Sequence, residues 1–116
     1  MSRPIVLSLF LAGALAGCAT GGDRAPEGPE FVGRALEVVA ANGQQTVLRF
    51  RPDGVVTARF NDQESEGRWT FVGRELCFTW RQTFRECWPE TPRLREGRPA
   101  TIRSDRGNVV TVTLRD

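Results

Sequence analysis

The chain has 116 residues and a formal net charge of +2; one domain is expected, and charge alone gives no case for a nucleic-acid partner. It contains no His, which excludes a Ser-His-Asp triad, a Cys-His pair and every His-ligated metal site. All of its basic residues are Arg, a usage we attribute to coding bias rather than to function.

Residues 1–17 read as a secretory signal. Arg3 supplies the positive start, Ile5 to Leu15 an apolar run, and small residues follow. The run is shorter than the ~20 residues of a spanning helix. "LAGC", residues 15–18, resembles the lipobox of bacterial lipoproteins. That resemblance implies cleavage before Cys18 and acylation there, and two or more acyl chains anchor a protein stably to a membrane. The alternative is an ordinary signal peptide with a chance Cys. Ala19 follows the anchor where such lipoproteins carry Asp for inner-membrane retention, so the expected address is the outer membrane, facing the periplasm. Residues 18–30, rich in Gly, Pro and charge, are expected to be a flexible tether.

The domain is expected over residues 31–116, as strands and turns. "ALEVVA" (35–40) precedes Asn42-Gly43, a hairpin signal. Residues 30–41 also carry apolar residues at helical spacing, but Val38-Val39 and the turn favour a strand. "QTVLRF" (45–50) would turn Thr46, Leu48 and Phe50 to one face. "PDG" (52–54) is a turn. "VVTARF" (55–60), a polar loop at 61–65, "GRWTFV" (67–72), a Gly73-Arg74 turn, "ELCFTWR" (75–81) and "FRECW" (84–88) follow. A Pro-rich stretch then leads to "ATIRS" (100–104) and "VVTVTLR" (109–115).

These amount to about eight short strands, an all-β antiparallel meander. An open sheet would leave two exposed edges, so a closed or nearly closed, lipocalin-like barrel is expected. Leu48, Phe50, Phe60, Trp69, Phe71, Phe78 and Trp80 would fill its interior. A barrel of this strand number either packs solid or holds one small ligand. The bulk of the inward residues favours a mostly filled interior.

An oxidising compartment makes a disulfide the expected state of Cys77 and Cys87. Zinc would need further ligands, and a CxxC redox pair needs closer spacing. If the two pair directly, the register is 77:87, 79:85 and 80:84, around a loop at 81–83. Cys77, Thr79, Arg85 and Cys87 then share one face. Leu76, Phe78, Trp80, Phe84, Glu86 and Trp88 take the other. Glu86 is the anomaly, a carboxylate among aromatics, to be explained by an inward Arg, by a place at the barrel mouth or by a ligand. Glu86, Trp69, Trp80 and Trp88 are therefore the candidate ligand or buried-charge site.

"FRPDGVVTARF", "GRWTFVGRELCFTW" and "RECW" resemble a group of uncharacterised proteobacterial lipoproteins with a small lipocalin-like β domain of unknown function. The likeness spans residues 49–88 and, more weakly, "SDRGN" near the end. It implies a barrel or half-barrel with the 77–87 disulfide, and it implies no activity. A more distant likeness, of architecture only, is to bacterial β-barrel protease inhibitors.

Other charged groups carry little chemistry. Asp62, Glu64 and Glu66 lack the rest of a calcium loop. Arg93, Arg95, Arg98, Arg103 and Arg106 read as solvated charge, or as a grip for anionic lipid or glycan. No phosphate loop or nucleophile elbow occurs, and no cofactor, metal or nucleic-acid partner is expected. The expected function is a non-enzymatic envelope binding or structural module, partnered by an envelope protein, glycan or protease. The alternatives are a periplasmic protease inhibitor and a carrier of a small apolar ligand.

Overall fold

The computed structural model describes residues 28–116. The expected signal segment, Cys18 and most of the expected tether lie outside the described residues.

The described residues form one antiparallel sheet of eight strands. These are β1 (Ala35–Ala40), β2 (Gln45–Phe50), β3 (Val55–Phe60), β4 (Gln63–Val72), β5 (Glu75–Trp80), β6 (Phe84–Trp88), β7 (Ala100–Arg103) and β8 (Val109–Arg115). Their order in the sheet is β6-β5-β4-β3-β2-β1-β8-β7. The meander thus wraps round until β8 pairs with β1, and the sheet is a nearly closed barrel.

Closure is completed by one residue's backbone and side chain rather than by a further ladder. Asp105 donates its backbone N–H to the Cys87 carbonyl at 2.8 Å. Its Oδ1 accepts from the Cys87 N–H at 2.9 Å. One aspartate therefore imitates both halves of a strand pairing across the β6–β7 seam and satisfies groups that an edge would leave open. Arg106 Nε donates to the Arg85 carbonyl at 2.6 Å beside it. The turn that carries Asp105 is fixed by buried Ser104, whose Oγ accepts from the N–H groups of Arg106 and Asn108, each at 3.1 Å.

Cys87 directs its backbone groups to Asp105, so Cys77↔Cys87 is a non-hydrogen-bonded pair, the closer of the two pair types in an antiparallel ladder. Their Cα atoms are 4.0 Å apart and the sulfurs are bonded. The register Thr79↔Arg85 and Trp80↔Phe84 around residues 81–83 is the one the spacing predicts.

Strand Ala35–Ala40 replaces the helix alternative, with its apolar residues paired to β2 and β8. The expected loop at 61–65 is corrected. Only Asn61 and Asp62 turn, with Asn61 at φ 57°, and β4 starts at Gln63, with Glu64 paired to Arg59 and Glu66 to Thr57. Residues 63–66 are exposed. A strand without a buried face has no apolar alternation to betray it.

Alternate connections of an antiparallel meander fall at the same end. The turns at 41–44, 61–62, 81–83 and 104–108 mark one end. The turns at 51–54 and 73–74, the 89–99 segment and the entering chain mark the other. At the second end Phe31 is fully buried. Its ring lies 4.6 Å from Phe50, 5.3 Å from Phe71 and 6.0 Å from Trp69, centroid to centroid. Leu94 of the 89–99 segment joins the same core. An ion pair clasps this plug. Arg74, at φ 70°, donates to both Glu30 carboxylate oxygens at 2.9 and 3.3 Å and to the carbonyls of Thr91 and Pro92. Glu30 also accepts from the Leu94 N–H at 2.6 Å.

Candidate ligand-binding site

Inward positions along each strand change character from end to end. On β5, Leu76 is fully buried, Phe78 nearly so and Trp80 half-exposed. On β8 the sequence runs Leu114, Val112, Val110, and on β1 it runs Leu36, Val38. Side chains that fill the plugged end thus give way to side chains that line a space.

That space is a cavity of about 550 Å³ at the end marked by the turns at 41–44 and 104–108, within the range of small-molecule sites. Val38, Leu48, Phe78, Trp80, Trp88 and Val110 form most of its apolar wall. Gln44, Thr46, Asn108 and Glu86 supply polar groups. The expected mostly filled interior therefore holds at the plugged end, while the other end is open. Phe60 is half-buried and lies outside the core cluster, lining a surface depression with Val47 and Arg59 near the strand ends.

Three of the four expected site residues come together here. Glu86 sits directly across the ladder from Phe78, and Trp88 follows two residues along the same strand. Trp88 packs edge-on against Phe78 at 5.0 Å, and Trp80 stacks on it at 6.2 Å with planes 13° apart. Trp69 is elsewhere. It belongs to the plug, where its indole N–H donates to the Arg51 carbonyl at 2.9 Å and ties down the 51–54 turn. Its neighbours Phe31 and Phe50 took it there, and parity along one strand could not say which end it would serve.

Glu86 is half-buried, and its Oε2 accepts from Asn108 Nδ2 at 2.6 Å. Neither an inward Arg nor any other cation of the described residues forms an ion pair with it. Asn108 was not legible as a site residue, because its role depends on the seam that brings β6 beside the 104–108 turn. Gly67 is the other hidden member. A methyl group there would lie 2.5 Å from the Trp80 ring, so the absent side chain is what lets the indole pack close against β4.

The remaining candidate groups do not converge. Asp62, Glu64, Glu66, Glu75 and Glu90 are exposed, as are Arg93, Arg95, Arg98, Arg103 and Arg106. Glu75 approaches the sulfurs of Cys77 and Cys87 within 4.8 Å, but sulfurs joined to each other offer no thiolate to a metal.

No family model, curated protein or solved structure in the three comparisons matches this chain. The reading of its function therefore rests on the site itself.

Proposed function

We propose that the protein is a non-enzymatic binding module of the bacterial envelope, which takes a small, largely apolar ligand into the open end of its barrel. The observation that carries this is the cavity of about 550 Å³ walled by Val38, Leu48, Phe78, Trp80, Trp88 and Val110. Apolar surface left facing such a space is favourably removed from water by an apolar guest. Among the expected functions, the cavity favours ligand carriage over a purely structural role. One carboxylate, two amides and one hydroxyl among apolar side chains are a set for holding a molecule rather than for transforming it. The absence of His from the chain agrees with this.

The envelope address rests on the sequence, on the lipobox-like "LAGC" and the cysteine pair. On this reading Cys18 carries acyl chains that bind the membrane, and the protein faces the periplasm from the outer membrane. The chain enters the described barrel at the plugged end, opposite the cavity mouth.

Two measurements test the proposal. Titration of the full chain with the apolar probe N-phenyl-1-naphthylamine should give saturable one-to-one binding, with a change in Trp emission, that Val110→Phe abolishes by filling the space. Non-saturable uptake, or uptake indifferent to Val110→Phe, would remove the ligand reading. Labelled palmitate should enter the exported protein and should not enter Cys18→Ser; no label in the unmutated chain would remove the anchor.

A further inference from the structure

We infer that the open-end site selects a ligand whose apolar body ends in a cationic, hydrogen-bond-donating head, and that Glu86 holds that head. This rests on the ligand-binding reading above and names the chemistry that it leaves open.

The argument begins with the wall around the carboxylate. Phe78 is its cross-strand neighbour and buried Trp88 follows two residues along β6, while Phe84, two residues before it, is exposed. A half-buried carboxylate beside apolar surface loses hydration and needs compensation. Within the barrel the compensation is partial. One oxygen accepts from the neutral amide of Asn108 at 2.6 Å, and no ion pair forms. None of the nearby arginines pairs with it. Arg106 gives its Nε to the Arg85 carbonyl, and its guanidinium lies 4.3 Å above the Phe84 ring. Arg81 and Arg85 are exposed.

This leaves Glu86 Oε1 without a hydrogen-bonding partner among the described residues. A negative charge thus remains at the wall of an aromatic cavity. An ammonium head would form a charge-assisted hydrogen bond there, which is about twice as strong as a neutral one. The half-exposed ring of Trp80 would add attraction for the same cation. A neutral alcohol head gains only the ordinary hydrogen bond. A carboxylate head would bring like charge against Glu86 and would be excluded.

The test uses three ligands with one tail: decylammonium, decanol and decanoate, titrated calorimetrically into the full chain below their aggregation limits. Decylammonium should bind about tenfold more tightly than decanol, with decanoate weakest. In Glu86→Gln, which keeps the amide contact, the preference for decylammonium should vanish while decanol still binds. Equal affinities for the three in the unmutated chain would overturn the inference without any variant, and so would a cation preference that survives in Glu86→Gln. Both outcomes leave the cavity a ligand site. Failure of all three to bind saturably, or binding unchanged by Val110→Phe, would instead remove the ligand reading, and this inference with it.

Discussion

At the Phe31 end of the barrel, side chains from the entering segment, the strands and the 89–99 connection meet in a packed aromatic cluster closed by an ion pair. At the Glu86 end the same strands present smaller residues, Val38, Ala58 and Val110, and no segment of the described residues covers them. The architecture is one; the finish differs. A short barrel has too little interior to be stable and hollow throughout, because its core supplies only a few kcal/mol of net stability. Concentrating the packing at one end lets the other stay open. The disulfide and the Asp105 seam then hold strand β6, which carries Glu86 and Trp88, at the junction between the two.

The strongest way to break this contrast is to truncate one inward side chain at each end. Phe31→Ala removes a fully buried ring from the centre of the plug and should cost about 3–5 kcal/mol. Val110→Ala removes two methyl groups beside space that is already open, and it should cost less than about 1 kcal/mol. Urea denaturation of both variants checks the pair. Similar costs would mean that the open end is packed in solution and the asymmetry unreal.

A smaller effect sharpens the role of the seam. Asp105→Ala leaves the Cys87 N–H at the β6 edge without its side-chain acceptor and should cost about 1–1.5 kcal/mol. Asp105→Asn keeps an acceptor oxygen and should recover most of that. Amide hydrogen exchange at Cys87 should quicken in the alanine variant and not in the asparagine one. Unchanged exchange in Asp105→Ala would show that closure does not depend on this residue.

Much of the fold was readable because the chain obeys simple periodicities. The alternation in "QTVLRF" and "ELCFTW", the turn residues at 42–43, 52–54 and 73–74, and the even pair of cysteines each carry local information. The register of the 76–88 hairpin follows from one pairing. The misses have a common cause. Gln63–Glu66 forms strand on backbone pairing alone, with no side-chain signature. Phe31, Arg74, Leu94 and Asp105 act through contacts 17 or more residues away along the chain, and one sequence offers no measure of such contacts. Glu86 was legible as an anomaly because parity set a carboxylate among aromatics. Its partner Asn108, 22 residues away, was not.

Glu30 and Glu86, half-buried carboxylates at opposite ends, give the finest comparison, since only Glu30 is paired with a cation of the described residues. Glu30 is bound by Arg74 and by the Leu94 N–H. Burial opposes ionisation of Glu30, but the Arg74 hydrogen bonds, the Leu94 N–H and the Arg74 charge outweigh it and hold the carboxyl below its ordinary 4.5. A group depressed on folding contributes stability that is complete above its unfolded value and is lost as the pH falls through its folded one. The plug should therefore loosen as the solution is acidified below about 4.5. Glu30→Gln should cost under about 1 kcal/mol at neutral pH, and its stability should fall less steeply than that of the unmutated chain over that acid range. Parallel stability curves for the two proteins would show that the Glu30–Arg74 clasp adds nothing on folding. The plugged end would then owe its order to the aromatic cluster alone.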